Sequence, residues 1–238
     1  MSCHVFLDNS NLYHGLHHHI MCSPLCIDVD YLKQLWVGNF QLDKSWVAGS
    51  AMDTARHDAI YWSRWERQGF SLMMTTRKSK EVFVDDALHA QILFTLMTHH
   101  STPAPKLVLV SGDGNENHGR TSFPACVCLA LKLGWSVDVW AWKEGTHSTW
   151  FHLQRFFPQL NVHFLNDHLK RFINMDLLID VLHPSSETED DRMQRVMLHA
   201  EAYANSITSR CPRCQICNKH RRLPVETLCV CRWNSKQF

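Results

Sequence analysis

The chain has 238 residues, 45% of them hydrophobic and 20% charged, the balance of a globular protein with one full domain and a remainder, which excludes global disorder, collagen and coiled-coil architectures. Its formal net charge of +1 hides an asymmetry: from Thr208 onward seven basic residues face Glu226 alone, a net of +6, so the 17 basic and 22 acidic residues before Thr208 give −5. An acidic body with a basic tail points toward nucleic acid or another polyanion.

Uncharged stretches are interrupted well before the ~18 residues that a membrane span requires, and residues 1–10 lack a basic segment followed by an apolar run. Neither a membrane span nor a secretory signal is expected. The protein is therefore read as intracellular, with the cytoplasm favoured and the basic tail leaving the nucleus open. In that setting the ten cysteines are expected to be reduced thiols, with the tail cluster read first as metal ligands.

Short runs rich in Val, Leu, Phe and Trp alternate with longer amphipathic ones, the pattern of an α/β domain with a mainly parallel sheet. The clearest strands are His4–Asp8, Lys106–Ser111 and Trp135–Trp140; Trp46–Ser50, Phe70–Thr75 and Asn161–Leu165 are weaker. Leu107 to Val110 shows no polar alternation, as expected of a central strand covered on both faces. Helices are expected over Thr54–Gly69, Asp85–His99, Ser122–Leu133 and Thr146–Phe157. In the second of these, Leu88, Ile92 and Leu96 form a ridge with Leu93 and Met97 beside it. His14, His17, His18 and His19 read as a polar loop. Three regions follow: a domain over 1–175, a linker and helix over 176–208, and a basic cysteine-rich tail over 209–238.

In a parallel α/β sheet, ligands bind beyond the carboxyl ends of the strands. Three segments bring carboxylates to that edge: Asp8 to Asn11 after the first strand, Gly112 to Asn115 after the fourth, and Val84, Asp85 and Asp86 at the start of the most periodic helix. Taken singly, each acid is also a good helix cap or turn former. Taken together, carboxylates crowded into one cleft repel unless a cation sits among them. Hard oxygen ligands imply Mg²⁺ or Mn²⁺, which can activate water against a phosphodiester. Asn11 is placed to orient a carboxylate or substrate. A phosphatase using Asp8 as nucleophile would want an acid where Ser10 stands, and no G-x-G-x-x-G follows the first strand.

Four ordered segments carry a resemblance: VFLDNSNL (Val5–Leu12), KEVFVDDALHAQIL (Lys80–Leu93), LVLVSGDGN (Leu107–Asn115) and ALKLGWSVDVWAW (Ala130–Trp142). Over roughly Met1 to Phe172 the chain resembles the NYN domains, a branch of the PIN-like nucleases. The likeness is closest to the subgroup with D-x-S-N, V-D-[DE]-x-L-H and G-D-G-N motifs. The resemblance implies a Rossmann-like three-layer α/β/α sandwich and a Mg²⁺- or Mn²⁺-dependent ribonuclease acting on RNA. By position, Asp8, Asp85 and Asp113 match the family's metal-binding acids and Asn11 its accompanying asparagine, while Asp86 takes the second acidic position of its element. Asn115 stands where many members have a further Asp, so an RNA-binding module that does not cut is the alternative. Glu116 is the nearest acidic substitute.

Arg77, Lys78 and Lys80 precede the Asp85 element and are candidates for the RNA backbone, as are Arg221 and Arg222 in the tail; a solvated loop is the plain alternative. His89 lies one turn after Asp85, in reach of the site or simply a satisfied helix histidine. Trp62, Trp65, Trp135, Trp140, Trp142 and Trp150 sit at spacings that suit core packing better than base stacking. Cys211, Cys214, Cys229 and Cys231 are candidate Zn²⁺ ligands, although C-x-C is an unusual second half, and a disordered tail is the other reading.

Overall fold

In the computed structural model, residues 1–20, 26–51, 56–76, 84–99, 105–116 and 119–173 are described. Arg77, Lys78, Lys80, Arg221, Arg222 and the tail cysteines Cys211, Cys214, Cys229 and Cys231 lie outside them, as do the expected linker and tail. The chain divides into two units, residues 1–13 with 28–173 and residues 14–27 with 174–238. The sheet and the sites below belong to the first.

The elements run β1 (Ser2–Asp8), α1 (Asn9–Ile20), α2 (Val29–Val37), β2 (Gln41–Ala51), α3 (Arg56–Arg67), β3 (Ser71–Thr76), α4 (Val84–Thr98), β4 (Lys106–Val110), α5 (Phe123–Lys132), β5 (Ser136–Ala141), α6 (Ser148–Phe156) and β6 (Leu160–Phe164). A 3₁₀ turn (Leu165–His168) and α7 (Leu169–Phe172) follow. The six strands form one all-parallel sheet in the order β3-β2-β1-β4-β5-β6. This is the Rossmann-like arrangement, in which strand order reverses between β1 and β4. None of the described helices is long and apolar enough to cross a membrane.

Alternation along the strands explains the layers. Phe6, Leu107, Leu109, Val137 and Val139 join one apolar cluster with the inward faces of α4, α5 and α6. Val5, Leu7, Val47 and Val108 are equally buried but face the other way, toward the layer where Trp36 of α2 stacks on Trp65 of α3 with ring centres 6.2 Å apart. Burial on both faces is what removes polar alternation from Leu107 to Val110. The expected ridge of α4 is buried at Leu88, Ile92 and Leu96, and Leu93 packs partly against the same cluster; Met97, by contrast, is exposed.

His14 to His19 lie within α1, not in a loop. Four histidines and Gly15 mask the helix in the sequence. What holds it is local: the Asp8 carboxylate accepts the Asn11 backbone N–H at 3.1 Å, and Leu12 and Leu16, four residues apart, are buried. The expectation of reduced thiols holds for Cys3, Cys126 and Cys128. It fails at Cys26, which is disulfide-bonded.

One buried ion pair ties β4 to β5. Lys106 Nζ lies 2.5 Å from Asp138 Oδ2, and Asn161 Nδ2 donates to Asp138 Oδ1 at 3.0 Å. Burial alone would raise the Asp138 pKa, but contacts from His163, Lys106 and Asn161 outweigh it and hold the group at about 2. Removing the carboxylate leaves the largely buried ammonium, among the described residues, only the Trp36 carbonyl at 3.5 Å as a hydrogen-bond acceptor, so Asp138→Ala should cost about 3 kcal/mol in urea denaturation at neutral pH. The sign is that of a depressed acid: the stabilisation is complete above the ordinary carboxylate range and disappears as pH falls through about 2. The gap between wild type and variant should therefore narrow with acidification below about pH 4.

Candidate functional site

The reversal of strand order leaves a crevice beyond the carboxyl ends of β1 and β4. Leu7 pairs with Val110, so Asp8 and Ser111 leave the two strands side by side. Ser111, fully buried, donates its hydroxyl to Asp8 Oδ2 at 3.0 Å and accepts the Asp113 backbone N–H at 3.2 Å. One hydroxyl thus fixes the Asp8 carboxylate and the turn that carries Asp113. Asp8 is 5% exposed, a buried acid with both oxygens directed by donors.

Asp113 is oriented by its own turn. Asn115 donates to Asp113 Oδ1 twice, from the backbone N–H at 3.0 Å and from Nδ2 at 2.5 Å. An aspartate at 115 would set a carboxylate oxygen against another in place of that donor, so this asparagine steadies Asp113 where a second acid would repel it. The local roles of cap for Asp8 and turn former for Asp113 are therefore both realised, and the Ser111 bridge joins them.

Gly112 permits the approach of a third segment. A Cβ there would lie 2.5 Å from the Gly145 carbonyl oxygen and 3.4 Å from Asn11 Nδ2. The Gly112 carbonyl accepts the His147 N–H at 3.1 Å and Trp150 Nε1 at 3.3 Å. A Cβ on Gly114 would meet His147 Cβ at 2.7 Å. These contacts bring Asn11 and His147, the latter with no spacing signal in the sequence, to the Asp113 turn. His147 is exposed, and its Nδ1 accepts the Thr149 N–H, capping α6.

Asp85 and Asp86 occupy the first turn of α4, the helix that crosses from β3 back to β4, so its N-terminus falls at this same edge. Asp85 is half-buried and Ser10, in the first turn of α1, is too. Asp86 turns toward the loop before α5, where Arg120 Nη1 approaches Oδ2 at 3.3 Å. His89 is 2% exposed, rests on the edge of Phe123, and has neither ring nitrogen hydrogen-bonded among the described residues. Burial lowers its pKa against the opposing pull of Asp86 and Asp113. That Asp113 acts on His89 ties the first turns of α4 to the Asp113 loop.

Asp8, Asp85 and Asp113 do not all bring ligand atoms within 4.8 Å of one another; among the described residues only His4, Asp43 and His99 form such a trio. Beside the Asp113 loop an open groove of about 860 Å³ runs between α5 and α6, lined among others by Glu116, Arg120, His152 and Arg155. Trp62, Trp65, Trp135, Trp140, Trp142 and Trp150 are all buried and belong to the core. Neither protein-family models nor curated proteins give a match to this chain.

Gly112→Ala should displace the 145–147 segment, because the contact it creates is with backbone, and cost about 1–3 kcal/mol. Thermal unfolding checks this, with Gly38→Ala, whose Cβ would meet nothing within 4 Å, as a variant strained only by its positive φ.

Proposed function

We propose that this chain is a Mg²⁺- or Mn²⁺-dependent ribonuclease of the NYN, PIN-like type that hydrolyses RNA phosphodiesters. The observation that carries the reading is the placement of Asp8 and Asp113 at the point where strand order reverses, bridged by Ser111.

The donors are hard oxygens, which suit Mg²⁺ or Mn²⁺ over softer cations. Because the three carboxylates do not all converge, one or two of them would hold the ion directly, with waters toward the rest, the usual habit of Mg²⁺. Asp8 and Asp113 would hold it, with Asp85 across the edge. When bound, the ion lowers the pKa of water and offsets charge on phosphate oxygens.

The chain's own residues prepare the site. Ser111 and the Asn11 N–H restrain Asp8, and Asn115 restrains Asp113, so little reorganisation remains when substrate arrives. Arg120 and Arg155 give the adjoining groove cationic groups for a phosphate backbone. The second reading, an RNA-binding module without cleavage, is favoured by Asn115, since one acid fewer weakens cation binding.

Asp8→Asn and Asp113→Asn should each lower Mn²⁺-dependent cleavage of a single-stranded RNA by about 100-fold or more, while RNA affinity at matched salt stays within about threefold. Gel-resolved cleavage and filter binding read the two quantities. Wild-type protein that binds RNA and leaves it intact with either metal would give the field to the second reading.

A further inference from the structure

The opposite edge of the same sheet carries a second constellation. His4 stands near the start of β1, about 13 Å along the strand from Asp8. The β1/β2 register slips between Cys3 and His4, which pair with Leu42 and Lys44, so Asp43 is the extra residue of a bulge. Bulges re-aim side chains, and this one brings the Asp43 carboxylate to His4. His99 follows the last turn of α4, the helix that packs on β1 and β2, and completes the group.

His4 Nε2 lies 3.6 Å and His99 Nδ1 3.5 Å from the same oxygen, Asp43 Oδ2, and the three ligand atoms all lie within 4.8 Å of one another. Those separations are too long for good hydrogen bonds. They approach the edge of a tetrahedron built on metal–ligand bonds of 2.0–2.1 Å, about 3.4 Å. The second observation is independent of these distances. His4 is fully buried, yet neither of its ring nitrogens has a hydrogen-bond partner among the described residues. A buried imidazole left so is costly unless something else takes its lone pair. Two further features suit a ligand. The Ser2 hydroxyl is 3.5 Å from His99 Nε2, the ring nitrogen that faces away from Asp43, and offers it a polar neighbour. Trp135 flanks both rings, with centres 5.3 Å from His4 and 5.9 Å from His99, and limits water on one side. Asp43 is 39% and His99 24% exposed, which gives a cation a way in and a position for water.

We infer that His4, Asp43 and His99 form a Zn²⁺ site that clasps the start of β1 and the β2 bulge to the end of α4. Two imidazoles and one carboxylate are borderline ligands that prefer Zn²⁺ over Mg²⁺, so the two edges of the sheet select different cations. The site does not depend on the ribonuclease reading.

The test is metal analysis and cobalt spectroscopy on the full chain, stripped with chelator and reloaded. Wild type should bind one more equivalent of Zn²⁺ than His99→Ala or Asp43→Asn, and Asp43→His should recover it. Co²⁺ at this equivalent should give visible d–d bands without thiolate charge transfer, which separates it from any cysteine site. Zn²⁺ at about 100 times Kd should raise the wild-type Tm by roughly 5–10 °C more than that of either variant. Both altered positions are partly exposed, and circular dichroism confirms that the variants fold. Asp113→Asn should keep the equivalent, so the result stands apart from the fate of the acidic site. Equal Zn²⁺ stoichiometry and equal Tm shifts in wild type, His99→Ala and Asp43→Asn would overturn the assignment.

Discussion

The hydroxyl of Ser111 holds the carboxyl edge of the sheet together. It reaches across the seam between β1 and β4 to Asp8 and steadies the turn bearing Asp113, so two acids more than 100 positions apart are set by one side chain. The seam exists because the connections from β1 lead outward in one direction and those from β4 in the other. With helices α2 and α3 on one face and α4 to α6 on the other, both faces of these strands are sealed, and their ends are left to meet solvent and ligand.

A sheet sealed on both faces sends its polar chemistry to its edges. At the carboxyl edge the groups are oxygens, restrained by short-range donors: Asn11 for Asp8 and Asn115 for Asp113. At the amino edge a bulge and a helix end bring in two imidazoles and one carboxylate. Ligand hardness differs between the two, and so do the cations each suits. Between them the strand interiors are apolar, and Asp138 is accommodated through Lys106, Asn161 and His163.

Much of this architecture was legible in the sequence because burial writes itself into residue choice. Leu107 to Val110 lack alternation since both faces are covered, and the ridge of Leu88, Ile92 and Leu96 on α4 announces its buried side. The α1 segment was not legible, as its histidines hide a helix that an Asp8 cap and two buried leucines maintain. Asp8, Asp113 and Asn11 could be placed at one edge from strand order alone. His147 could not, because only Gly114's lack of a side chain makes room for it. Nor could the His4, Asp43 and His99 trio, which depends on a one-residue register slip that no periodicity reveals. Asn115 reads in the sequence as a missing acid and in the structure as the donor that orients Asp113.

Ribonuclease chemistry here requires a divalent cation at the Asp8 and Asp113 edge. Diffraction from crystals soaked in Mn²⁺, with anomalous signal collected at the manganese edge, tests it most directly. A single Mn²⁺ peak within bonding distance of Asp8 or Asp113, absent in an Asp8→Asn crystal treated alike, is the result expected. Millimolar Mn²⁺ leaving no peak near either carboxylate, with the Ser111 bridge intact, would contradict it.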